Sequence, residues 1–124
     1  MPSHEQIVST INAYVAAFAQ HDTDAIVRLY AEEATVEDPV GTPLHRGLVA
    51  IRAFYAAAVA TGATLTLEGP VRSAGNSAAF PFSVHVPMAG AAHRIDVIDT
   101  FTFNDAGKIV EMRAFWGPQN VATS

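Results

Sequence analysis

Asp99 is a carboxyl on the apolar face of a strand. In Ile95-Asp96-Val97-Ile98-Asp99-Thr100-Phe101-Thr102-Phe103, strand alternation puts Ile95, Val97, Asp99, Phe101 and Phe103 on one face. Asp96, Ile98, Thr100 and Thr102 take the other. An unpaired carboxylate among apolar groups is costly, and such a group takes up a proton instead. A carboxylic acid kept neutral near neutral pH is a strong hydrogen-bond donor in a dry pocket. It suits the stabilisation of a developing oxyanion. The competing reading makes Asp99 a buried partner of an arginine or of a backbone turn. No Arg or Lys shares the inward face of its own strand.

Asp38 is the second carboxyl on an inward face. Residues 35–38 read as a short strand with Val36 and Asp38 on one side and Thr35 and Glu37 on the other. Pro39 holds Asp38 extended. A loop over 40–47 follows, with Gly41, Pro43 and Gly47. Asp38 is therefore expected to be wetter and more mobile than Asp99. Two carboxyls in unlike environments can act as one ionised base and one neutral acid. Alternatively, Asp38 caps a turn or pairs with Arg46 or Arg52.

The three tyrosines, Tyr14, Tyr30 and Tyr55, each fall on the apolar stripe of a different expected helix. A buried phenol needs a hydrogen-bond partner. Three phenols could satisfy one another in a chain that ends on a ligand, each donor strengthening the next. Taken singly, each is an ordinary core residue. His4, His21, His45, His85 and His93 have no metal-ligand spacing, and there is no cysteine to join them. All five are expected at the surface. Nucleophile-elbow and phosphate-loop motifs are absent from the sequence.

The elements that must position these groups are legible as periodicities. Ser3 with Gln6 forms a capping box, followed by the helical stripe Ile7, Ile11, Tyr14, Val15, Phe18. Asp22 or Thr23 caps a second helix with Ile26, Leu29 and Tyr30 on one face. A third helix over 48–59 turns Ile51, Phe54, Tyr55 and Ala58 inward. Strands are expected over 64–72 and 78–86, the latter with Ala78, Phe80, Phe82, Val84 and Val86 on one face. Residues 87–92 read as a turn, then comes the Asp99 strand. Asn104-Asp105-Ala106-Gly107 is a turn signal. The last strand, 108–116, puts Val110, Met112, Ala114 and Trp116 on one face. Pro70, Pro81 and Pro87 mark strand edges or bulges. The order predicts an α+β fold: a curved, cone-shaped antiparallel sheet packed on three helices. Its inward faces would enclose a pocket for a sizeable apolar ligand.

Composition agrees. With 124 residues, half of them hydrophobic and 15% charged, the chain fits one domain over 1–124 with a real core. A net charge of −5 argues against nucleic-acid or anionic-membrane surfaces. The N-terminus has no basic region followed by an apolar run, and no stretch reaches membrane-spanning length. A cytoplasmic protein is expected.

The residues match a known family. Ala34-Thr-Val-Glu-Asp-Pro-Val-Gly41 carries the match most strongly. Ile51-Arg-Ala-Phe-Tyr55, Ile98-Asp99 leading into Phe101-Thr-Phe-Asn104, and Met112-Arg-Ala-Phe-Trp-Gly117 support it. From about Tyr14 to Gly117 the chain resembles the bacterial ketosteroid isomerases, steroid Δ-isomerases of the nuclear-transport-factor-2-like fold. That family is itself the type example of a neutral catalytic carboxyl. The resemblance implies Asp38 as general base, Tyr14 and protonated Asp99 as oxyanion hole, and Tyr55 and Tyr30 as the network behind Tyr14. It implies Phe54, Phe82, Val84, Phe101, Met112 and Trp116 as the apolar wall against a steroid. It further implies a cofactor-independent, metal-free reaction and a homodimer. Pro81, the 87–92 turn and Asp96 depart from the family pattern, all on the outward face or in a loop. The fold alone is a weak guide to activity. A dehydratase or polyketide cyclase, a non-catalytic carrier of hydrophobic ligands, or a dimerisation module would share it.

Overall fold

Ser3 opens α1 (His4–Ala19) with the expected capping box. Its hydroxyl accepts from the Gln6 amide at 3.1 Å, and the Gln6 side chain accepts from the Ser3 amide at 2.7 Å. Two orphan amides of the first turn are thereby satisfied. The computed structural model describes residues 1–88 and 91–123. Asp22 caps α2 (Thr23–Val27), accepting from the Ala25 amide at 3.0 Å. This helix is shorter than the spacing of Ile26, Leu29 and Tyr30 predicts. The chain turns at Arg28 and Leu29, and the Leu29 carbonyl accepts the Ile109 amide at 2.9 Å. Tyr30 therefore opens a strand, β1 (Tyr30–Glu37), rather than closing a helix face.

After β2 (His45–Arg46) and α3 (Gly47–Ala60) come β3 (Thr64–Leu67), β4 (Arg72–Ala74), β5 (Ser77–Met88), β6 (Ala91–Phe103) and β7 (Ile109–Phe115). A 3-10 turn at Pro118–Asn120 leads to β8 (Val121–Thr123), which the sequence did not signal. One curved sheet runs β2-β1-β7-β6-β5-β3, with β4 paired to β5 and β8 to β6. All pairings are antiparallel except β1 with β7, which is parallel.

Departures from strict alternation curve the sheet. The strand expected over 64–72 breaks in two opposite Pro81. That residue has no amide to donate, yet its carbonyl accepts from the Glu68 amide at 3.0 Å. Pro81 thus marks a bulge, as expected, but inside the sheet rather than at its edge. In β7, pairing passes from Thr102↔Glu111 to Phe103↔Ile109, leaving Val110 as the extra residue of a bulge. Ile109, not Val110, is the residue buried beside Met112 and Ala114. β5 extends to Met88 and β6 begins at Ala91, so most of the turn expected over 87–92 is strand. Residues 89–90 of that turn lie outside the described residues.

The three helices cover the concave face. Ile7, Ile11 and Phe18 of α1 and Ile51 and Tyr55 of α3 pack in one cluster with Val36, Phe80, Phe82, Phe101, Phe103 and Met112. Burying side chains of this size is worth roughly 1.5–3 kcal/mol each. Among the described residues no helix is long and apolar enough to cross a membrane.

Candidate active site

Asp99 sits in the middle of the sheet. Phe80 of β5 pairs with it on one side and Ala114 of β7 on the other. Its side chain enters the concave core and is 1% exposed. Neither carboxyl oxygen has a hydrogen-bond partner among the described residues. The competing expectation of an arginine or turn partner is therefore overturned. Burial, and after it the charge of Asp38, pushes the Asp99 carboxyl well above the usual carboxylate range. The neutral acid is the favoured form, and its proton has no acceptor within the described fold.

The phenols do form a chain, although one of them comes from a strand. The Tyr30 and Tyr55 hydroxyls lie 2.5 Å apart, and those of Tyr55 and Tyr14 lie 2.9 Å apart. All three are buried, and burial pushes each well above the ordinary phenol range. They remain hydrogen-bond donors rather than phenolates. After burial, any charge on Asp99 acts in the same direction on Tyr14, and both residues line the same cavity. The Tyr14 ring is wedged edge-on against Phe18 at 5.4 Å, Phe101 at 5.3 Å and Tyr55 at 5.8 Å.

Asp38 follows the last residue of β1 and is joined to Pro39 by a cis peptide bond. Its partner is neither Arg46 nor Arg52. Arg52 pairs with Asp24 instead. The indole Nε1 of Trp116 donates to Asp38 Oδ1 at 2.8 Å. Burial raises the Asp38 carboxyl from its ordinary range, while the Trp116 bond and nearby His45 pull the other way. No local pattern signals the Trp116 bond, because its two ends lie 78 residues apart. His45 also differs from expectation. It is half-buried and stacks on Phe54 at 4.8 Å, because its pairing with Val36 brings β2 against the strand that carries Asp38.

Tyr14, Asp38 and Asp99 meet in one cavity of about 210 Å³. Phe54, Phe82, Val84 and Trp116 line it as expected, joined by Phe18, Tyr55, Ala58, Thr61, Ala63, Leu65, Val86, Ile95 and Val97. Strand parity already turned Ile95, Val97 and Val86 inward, and the α1 stripe did so for Phe18. Phe101 and Met112 do not line the cavity. They pair across β6 and β7 in the fully buried core, and Phe101 braces Tyr14 from behind. Tyr30 likewise stands behind Tyr55. A larger groove of about 490 Å³ near the N-terminus is lined by groups such as Gln6, Ser9, Thr10 and Asp105. Its titratable groups are Asp105 and the Met1 ammonium, which pair with each other at 3.0 Å.

Comparison with known proteins agrees with this architecture. The family model described as the SnoaL-like domain matches residues 11–112. A steroid Δ-isomerase of Nocardioides simplex is 36% identical over 119 residues, spanning 96% of each chain. A solved structure of SalBIII superposes with a TM-score of 0.93 at 28% identity, covering all of both chains. Its description is an epoxide hydrolase/cyclase-like enzyme with a role in pyran ring formation in the polyether salinomycin. By sequence over most of its length and by fold throughout, this chain belongs to the SnoaL-like family within the nuclear-transport-factor-2-like superfamily.

Proposed function

We propose that this protein isomerises 3-oxo-Δ5-steroids to their conjugated 3-oxo-Δ4 isomers without a cofactor. The observation that carries the reading is the pairing of two unlike carboxyls in one apolar cavity. Asp99 is sealed, without a partner among the described residues, in the cavity that the phenol chain reaches, while Asp38 is held by an indole N–H. The sequence similarity to a steroid Δ-isomerase supports it.

In this reaction the steroid enters ketone first. Asp38 removes a proton from the carbon between the ketone and the double bond. The electron pair moves into a dienolate, and negative charge builds on the ketone oxygen. Tyr14 and protonated Asp99 donate hydrogen bonds to that oxygen in a site that excludes water. Asp38 then returns the same proton to the far end of the dienolate. One base serves both steps, and placement matters to it before strength. Pockets commonly hold about 300–1,000 Å³, so a cavity of about 210 Å³ would enclose the reacting end and leave the remaining rings at the mouth.

The test is ultraviolet absorbance of the conjugated enone formed from 5-androstene-3,17-dione. Wild type should turn over rapidly, and Asp38→Asn should lose roughly 10³-fold or more while still binding steroid. Equal rates in the two proteins would remove Asp38 as base.

A second reading follows from the structural likeness to the cyclase-like enzyme. The same two carboxyls could close an ether ring on an epoxide. Asp38 would take the proton of an internal hydroxyl as its oxygen attacks carbon. Asp99 or Tyr14 would protonate the epoxide oxygen as its carbon–oxygen bond breaks. Turnover of a hydroxy-epoxide, with none of the β,γ-unsaturated ketone, would favour this reading. Steroid binding with neither reaction would point to a carrier.

A further inference from the structure

Glu37 and Asp38 are adjacent, yet their carboxylates do different work. Asp38 lines the cavity, while Glu37 is turned to the other face of the sheet, opposite Arg113 in the parallel pairing of β1 with β7. There Glu37 Oε1 accepts from Arg113 Nε at 3.1 Å, and Oε2 accepts from the Gly41 amide at 2.9 Å. The second bond closes the chain back on itself around Asp38, Pro39 and Val40. The Val40 amide ties this hook to β7 by donating to the Ala114 carbonyl at 2.8 Å. The Thr42 amide and hydroxyl both donate to the Pro39 carbonyl, at 3.1 and 2.7 Å. Gly41 has φ 101°, and a Cβ built there meets nothing within 4 Å. Glycine is required for its torsion, not for space.

A base that serves two carbons in turn needs a fixed backbone and a carboxyl free to rotate. Displacement of a reacting group by about 1 Å can cost on the order of 10²-fold in rate. Resting on the reading of Asp38 as the base, we propose that Glu37 is a positioning residue. Its carboxylate bridges the Gly41 amide and the Arg113 side chain behind the sheet, and so fixes the hook that sets the reach of Asp38. The Gly41 amide first, and Arg113 after it, hold the Glu37 carboxyl below its usual range. The ionised form accepts both bonds, whereas a glutamine has one acceptor oxygen for two donors.

The test compares wild type with Glu37→Gln by three readings on the intact chain. The first is turnover of 5-androstene-3,17-dione. The second is affinity for a steroid with a phenolic A ring, which needs Tyr14 and Asp99 but no base. The third is the acid titration of fluorescence from Trp116, the one tryptophan of the chain, whose N–H sits on Asp38. The variant should lose roughly tenfold in kcat with KM within about twofold. Phenol affinity should be unchanged, and the acid-induced change in Trp116 emission should shrink. Unchanged kcat and an unchanged titration overturn the proposal. So does a kcat loss matched by an equal loss of phenol affinity, which would mark general loosening. If wild type itself does not turn over, the isomerase reading has failed, and Trp116 alone decides. Identical titrations then overturn the clamp, and a diminished one upholds it as the device that holds Asp38. Should Glu37→Gln not fold, Arg113→Lys removes the Nε bond alone and gives the same readings in smaller measure.

Discussion

The two inward carboxyls occupy opposite kinds of backbone. Asp99 lies mid-strand, flanked by paired strands on both sides, sealed from solvent and without a partner among the described residues. Asp38 lies where a strand gives way to a hook, partly exposed and bonded to an indole. Burial raises both, but only Asp38 has groups that pull its carboxyl back down. A central strand fixes a group and strips its water, which suits a donor that never moves. A strand end leaves a carboxyl ionisable and free to turn, which suits a base. On the proposed reading, position in the sheet divides identical chemistry into two roles.

Exchanging each carboxyl for an amide breaks this comparison most directly. Asparagine can donate a hydrogen bond but cannot take a proton from carbon. Asp38→Asn should therefore carry the full loss of 10³-fold or more, on the order expected for removing a general base. Tyr14→Phe removes a donor from the oxyanion end and should lower kcat by roughly 10²-fold with little change in KM. An effect confined to KM would take Tyr14 out of the oxyanion hole. Asp99→Asn keeps a donor, so its loss should be nearer tenfold by the same enone assay.

That variant also sharpens the comparison through stability. Folded Asp99 keeps its proton, while unfolded Asp99 releases it above about pH 4. The folded state then binds more protons, so stability falls as pH rises, by up to about 1.4 kcal/mol per pH unit until the folded group ionises. Asp99→Asn should flatten this decline in thermal melts between acid and neutral pH. A decline of equal slope in both proteins would mean that Asp99 is ionised in the fold. The smallest effect is expected from Tyr55→Phe. It cuts the phenol chain in the middle and should cost about 1–3 kcal/mol by leaving buried hydroxyls short of a partner, with only a few-fold change in rate. Denaturant melts alongside the kinetics separate the two.

Local patterns reached the site further than they reached the fold around it. Alternation alone turned Asp99 and Asp38 inward, because period-two order survives wherever no bulge intervenes. It failed at Val110, where an inserted residue shifts Ile109 into the core without any compositional mark. Tyr30 was misplaced because Ile26, Leu29 and Tyr30 fit a helical face equally well, and only the sheet ladder to Ile109 decides against it. The contacts of Trp116 with Asp38 and of Arg113 with Glu37 join strands far apart in the chain. No local signal encodes them. The parallel pairing of β1 with β7 was invisible for the same reason.

That parallel pairing also bears on time. Parallel strands need a long crossover, and here more than half the chain intervenes between Asp38 and its indole partner, 78 residues on. Chains dominated by such distant pairings close their loops at an entropic cost before any contact rewards it, and they fold slowly. Asp38 and the indole that donates to it come from the two segments joined by this closure. On the proposed reading, a newly made chain holds a competent base only once β1 and β7 have paired.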